Sequence, residues 1–177
     1  MSRTTAVRTR TRIASSPERV WDALMFYEQI DARPPLYLRL LLPLPTGADS
    51  RTAEIGGEVK CSYERGYLLK RLTRIDPPRH YGFEVVEQNL LLGGGVKLSG
   101  GCYALRQLPS SGTELTVTTR YSSGRRPRWL WKPVEAAVCH GFHRYLLASI
   151  RTRVDAAHEL SPRGGEPSGP GSAGPAR

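Results

Sequence analysis

RWLWKPVEAAVCHGFHRYLLASIRTRVDAAHEL, residues 128–160, decides how this chain folds. Stepping about 100° per residue around a helix puts Leu130, Val134, Val138, Gly141, Phe142, Tyr145 and Ser149 on one face, a stripe that needs a core to pack against. The opposite face is no more polar, because Ala136, Cys139, His143, Leu147, Ile150 and Val154 recur at steps of three and four. A helix apolar on two sides is covered on two sides. At the end of a chain otherwise rich in strand patterns, this predicts a sheet wrapped around the helix and a second layer on its back.

Upstream, the pattern is period two from Arg51 to Ser123, broken by Gly and Pro at short intervals. Strands are predicted at 52–65, 67–76, 79–91, 95–108 and 112–123. They are hinged at Gly66, Pro77-Pro78, Gly93-Gly94-Gly95 and Ser110-Ser111-Gly112. Short hinges in succession make an antiparallel meander. Odd positions carry the more apolar set, including Val59, Cys61 and Tyr63; Tyr67, Leu69 and Ile75; Phe83 and Val85; Tyr103 and Leu105; and Leu115, Val117 and Tyr121. These should face the helix.

Thr4 to Ala14 alternates as one further strand, with Arg8, Arg10 and Arg12 outward. Ser15, Ser16, Pro17 and Glu18 then start a short helix, with a Ser cap, Pro in the first turn and an acid beside it. Val20, Trp21, Leu24 and Met25 supply its apolar side, and it should stop near Ile30. Residues 31–50 pack six leucines between prolines. Pro34-Pro35 and Pro43 bracket a piece long enough for two helical turns. The apolar surface of this connection needs cover: it is a lid, a membrane-touching patch, or, as favoured here, a segment packed on the back of the final helix.

Composition sets the outer bounds. With 177 residues, 39% apolar and 24% charged, the chain is of single-domain size and can bury an ordinary core. No run approaches the ~20 apolar residues of a spanning helix. The opening MSRTTAVRTRTR lacks an apolar signal core, so a cytoplasmic location is expected. Cys61, Cys102 and Cys139 are too scattered for a disulfide framework or a zinc site. After Leu160, SPRGGEPSGPGSAGPAR carries almost no apolar content, so residues 1–160 are read as the folded domain and 161–177 as a disordered tail.

The net charge of +10 admits an acidic partner. The charge is spread along the chain, however, and its densest cluster, Arg125, Arg126, Arg128 and Lys132, sits at a loop-to-helix junction beside Trp129 and Trp131. That arrangement is read as solvated surface, against nucleic-acid binding.

The candidate site residues are polar groups in core phase. Arg71, Thr73, Glu87, Gln107 and Thr119 share the phase of the inward residues, as do the phenols of Tyr63, Tyr103 and Tyr121. A buried Arg71 and Glu87 would need each other or a wet space. The expectation is a cavity between sheet and helix, with a register slip near Gly66 or Gly94 as the alternative that returns some of these groups to solvent. Val138, Phe142 and Tyr145 would form the cavity floor. His140 and His143, with Cys139 and Glu135 near, invite a metal reading, but two ligands without a third do not make one. His143 is read instead as a core histidine bonded to a neighbouring carbonyl. No phosphate loop, nucleophile triad or dinucleotide fingerprint occurs, and neither metal nor cofactor is expected.

The order of elements, together with RTRIASSPERVWDAL near the start, resembles the SRPBCC superfamily, the START-like helix-grip proteins that include polyketide cyclases/dehydrases and lipid-transfer domains. The resemblance covers about residues 3 to 158. It implies an α+β helix-grip fold: a curved antiparallel sheet of six to seven strands around a long C-terminal helix, with a short helical segment between the first two strands. It also implies an internal cavity for a small hydrophobic molecule such as a lipid, polyketide or aromatic metabolite.

Three functions compete. The first is a binding protein. The second is a cyclase or dehydratase using the same cavity, with Glu87 or His143 as the catalytic base. The third is a homodimeric interaction module built on Leu36–Leu44 and the second face of the final helix. Membership alone does not decide between binding and catalysis.

Overall fold

A computed structural model describes residues 4–25, 35–43, 45–50, 54–90, 95–109 and 111–160. The tail expected over 161–177 and the end of the first helix near Ile30 lie outside the described residues. In chain order the elements are β1 (Thr5–Ile13), α1 (Pro17–Met25), α2 (Leu36–Leu41), β2 (Pro45–Ser50), β3 (Glu58–Tyr63), β4 (Gly66–Asp76), β5 (His80–Leu90), β6 (Val96–Gln107), β7 (Thr113–Ser123) and α3 (Arg128–Leu160). The strands form one antiparallel seven-stranded sheet in the order β1-β7-β6-β5-β4-β3-β2. The meander therefore runs from β2 to β7, and the first strand returns to pair with the last. This is the α+β helix-grip architecture, a curved sheet around a long C-terminal helix.

The N-terminal elements follow their sequence signals. On β1, Val7 and Ile13 are buried while Arg8, Arg10 and Arg12 are exposed, as alternation requires. In α1, Ser16 Oγ accepts the Arg19 N–H at 3.5 Å, and Val20, Trp21 and Leu24 are buried. The helix packs on α3, whose Leu147, Ile150 and Val154 join the same core. Truncating the fully buried Ile150 to Ala would cost roughly 2–5 kcal/mol, the range for aliphatic deletion in a close-packed interior.

The short α2 is where the prolines predict it. It crosses α3 at Gly141, where a Cβ would lie 3.1 Å from the Tyr37 hydroxyl and 3.2 Å from its ring. The approach is tight on the Tyr37 side chain, and Leu38 is buried beside it. The strand β2 was not expected, since PTGADS lacks apolar alternation.

Two expectations about phase are corrected. In β4 the inward residues are Leu68, Lys70 and Leu72, one step out of the expected phase, so Tyr67, Leu69 and Arg71 do not share the core row. In β5, Lys70 pairs with Val85 but Leu69 pairs with Glu87, leaving Val86 as an extra residue. A bulge inverts every side chain beyond it. Phe83 and Val85 therefore face inward as expected, whereas Glu87 faces outward. A second irregularity at Thr73 restores Ile75 to the inner side opposite Tyr81.

The covering of α3 is corrected too. Its sheet-facing stripe is rotated by roughly one residue step from the one expected, and Leu130 and Val134 are exposed at 46% and 43%. Cys139, His143, Leu147 and Ile150 lie on the sheet and α1 side. The Leu-rich connection covers the Gly141 and Tyr145 side instead. Apolar residues surround this helix, so periodicity alone did not choose between its faces.

Candidate functional site

Between the inner side of β3–β7 and about the first five turns of α3 lies a cavity of about 410 Å3. That is within the range of small-molecule sites. Its sheet wall is mostly apolar, including Leu68, Val85, Leu98 and Val117, and Trp131, Val138, Phe142 and Leu146 close it from the helix. Leu42, Pro43 and Gly47, between α2 and β3, form a further wall. The curvature that makes room for it includes a break in β6 between Leu98 and Gly100. At Gly100, φ is +146° and a Cβ would sit 2.5 Å from the Phe83 carbonyl oxygen, so no other residue fits.

Of the expected ligand-binding residues, Tyr63, Tyr103, Tyr121, Val138 and Phe142 line this cavity. The other three do not. Arg71 is on the outer side of the sheet, where its guanidinium meets Glu58 at 2.9 Å and Glu84 at 3.3 Å. Glu87 is also outside and accepts the Tyr67 hydroxyl at 2.5 Å. The pairing of Arg71 with Glu87 inside a wet cavity is therefore replaced by surface pairing with other partners. Tyr145 is buried toward α2, beside Pro35, Tyr37 and Gly141.

Besides the tyrosines, two charged groups enter the cavity wall that were not read as ligand contacts: Lys70, and Glu135, which was noted only beside the histidines. Lys70 lies in the wall, 7% exposed, with its ammonium 5.0 Å from the centre of the Phe83 ring. Glu135 is 8% exposed and held from two sides: Ser123 donates to Oε1 at 2.5 Å, and Arg128 Nη1 donates to Oε1 at 3.1 Å and to Oε2 at 3.0 Å. Stepping back three from Val138 or seven from Phe142 lands on Glu135, so an acid in the cavity stripe was readable once the stripe was placed. Arg125 stacks over Trp131 at 4.6 Å. Arg125 and Arg128 of the basic junction are thus engaged within the chain.

Tyr121 is 2% exposed and lines the cavity, yet its hydroxyl has no hydrogen bond of ordinary length and reaches Glu135 only through a weaker contact. Burial, and then the nearby Glu135 charge, push this phenol up to about 12. It is a neutral donor at any ordinary pH.

The two histidines form a structural network behind the wall. His143 is fully buried, with Nδ1 2.8 Å from the Thr9 hydroxyl and Nε2 2.7 Å from that of Thr119. His140 Nδ1 lies 2.8 Å from the same Thr9 oxygen. One hydroxyl hydrogen serves one nitrogen, so the other Nδ1 must carry its own. Its hydroxyl partners replace the carbonyl expected for His143. Burial, and then His140, lower His143 to about 4, and burial raises the Cys139 thiol to about 11. A neutral imidazole with both nitrogens occupied and a protonated thiol are not equipped for base or nucleophile work. Among the described residues no three His, Cys, Asp or Glu side chains converge as a metal set would.

No family model matches the sequence, and no curated protein does. Solved structures match over nearly their whole length. A START superfamily protein from Mycobacterium smegmatis aligns at a TM-score of 0.61 and 12% identity, over 86% of this chain and 98% of that one. A norcoclaurine synthase point mutant from Thalictrum flavum, bound to a transition-state analogue, aligns at 0.61 and 14%, over 89% and 98%. The Zhui aromatase/cyclase from Streptomyces sp. R1128 aligns at 0.57 and 16%, over 93% and 100%. The fold is the SRPBCC/START-like helix-grip fold. No helix among the described residues is long and apolar enough to cross a membrane.

Proposed function

We propose that this chain binds one small, mainly apolar molecule between the sheet and α3, with Tyr63, Tyr103, Tyr121, Val138 and Phe142 in the binding wall. The observation that carries this reading is the cavity of about 410 Å3 lined chiefly by apolar side chains. Water-filled, such a space leaves apolar surface wet, and each Å2 removed from water by a ligand returns roughly 25 cal/mol. The structural neighbours include a norcoclaurine synthase bound to a transition-state analogue and an aromatase/cyclase, which supports the same use of the space.

Native mass spectrometry of protein purified from its own host tests the proposal. A one-to-one adduct of an apolar compound supports it. Protein that is folded, free of adduct and unable to take up any apolar compound contradicts it.

A second reading, catalysis of cyclase or dehydratase type, is favoured by one feature: a carboxylate and a neutral phenol, Glu135 and Tyr121, occupy the same cavity. It does not pass through Glu87, which lies outside the sheet, or through His143, whose two nitrogens are engaged. The dimer reading loses the second face of α3, which is covered within the chain.

A further inference from the structure

We infer that the cavity is built for an apolar molecule carrying a hydroxyl group, which bridges Tyr121 and Glu135. The inference rests on the cavity being a binding site and adds the chemistry of what it takes. The Tyr121 hydroxyl is a buried donor without a hydrogen bond of ordinary length, and it reaches Glu135 only through a weaker contact. Buried polar groups are nearly always paired, and a group left unpaired asks for a partner. Glu135 shares the same enclosure, near enough that its charge acts on the phenol.

The carboxylate has spare capacity. A carboxylate offers about four acceptor positions, and three contacts occupy it: Ser123 and Arg128 on Oε1, Arg128 alone on Oε2. Oε2 therefore keeps an open lone pair. At this end of the cavity the phenol is a donor without a close partner, and the carboxylate oxygen beside it is an acceptor with room for one more bond. A ligand hydroxyl is the smallest group that answers both, accepting from Tyr121 and donating to Glu135 through one oxygen.

Three other head groups do not answer both. A carbonyl satisfies Tyr121 and leaves Glu135 unanswered. A ligand carboxylate accepts from Tyr121 but sets a second negative charge beside Glu135. A wholly apolar ligand leaves both groups desolvated and unpaired, which is costly.

The test is a binding series on the full chain with naphthalene, 2-naphthol and 2-naphthoate, which share one apolar body. The expected order places 2-naphthol at least about fivefold tighter than naphthalene, the worth of one net hydrogen bond, and tighter than naphthoate. Tyr121→Phe removes a buried hydroxyl without a close partner, so it should fold at least as well as the parent. It should lose about fivefold for 2-naphthol and nothing for naphthalene. Glu135→Leu, checked for folding by circular dichroism, should bring 2-naphthol toward the affinity of naphthalene. Equal binding of all three compounds, or of 2-naphthol to Tyr121→Phe and parent, overturns the hydroxyl inference and leaves the cavity reading standing. If none of the three binds, both fall.

Discussion

Glu135 on α3 and Ser123 at the end of β7 are joined by a 2.5 Å hydrogen bond, and this bond ties the polar part of the cavity to the start of the long helix. Arg128, the first residue of the same helix, neutralises the carboxylate from the solvent side, its side chain 36% exposed against 5% for Glu135. The pair is thus half inside. Arg128→Ala leaves a buried carboxylate supported by one hydroxyl, a change that should destabilise the fold by about 2 kcal/mol, below the cost in a fully enclosed pair because water reaches the arginine. Urea unfolding measures it. Arg128→Ala combined with Glu135→Gln should recover at least half of the loss, since the uncompensated charge is gone.

His143 makes stability depend on pH. Its folded value of about 4 lies below the ordinary histidine value of 6.5, so the unfolded chain binds the extra proton first. The stabilisation is complete above pH 6.5 and is lost progressively as pH falls toward 4, up to roughly 3 kcal/mol. Unfolding midpoints at pH 7 and pH 5 should differ more for the parent than for His143→Gln. Equal differences would show that His143 is not held neutral by the fold.

Arg71 and Glu87 were the residues that the sequence offered most readily as ligand contacts, and the structure puts both on the outer side of the sheet. Arg71→Ala and Glu87→Gln should leave the affinity for any cavity ligand unchanged, because exposed pairs are screened and lie behind the strands from the cavity. Isothermal titration with a bound apolar compound checks this. A tenfold loss in either variant would mean that the sheet presents the opposite side to the ligand.

The reason for that displacement shows what a sequence can carry. The long helix, the first strand and its Ser-Pro-Glu helix start, and the meander were legible because each has its own period or punctuation. β2 was not, because PTGADS is paired through its backbone and its composition reads as a loop. The phase of β4 and β5 was not, because Val86 and Thr73 are each a single extra residue in a ladder, and one residue inverts all that follows. In β3 and β7, where the extra residue of each irregular ladder sits on the neighbouring strand, Tyr63, Val117 and Tyr121 fell on the expected side. Glu135 and Lys70 were not read as cavity residues for the same reason: their inward placement depends on which side of α3 and β4 meets the core, and an all-round apolar helix and a bulged sheet conceal it.

The binding account is tested most directly by filling the cavity. Val138 lines it from α3, and Val138→Trp places an indole in the space proposed for the ligand. Titration of 2-naphthol into the parent should give a saturable isotherm with one site per chain. In folded Val138→Trp, with a melting temperature at or above that of the parent, that isotherm should be lost. An unchanged isotherm in the folded variant would put the ligand elsewhere and contradict the account.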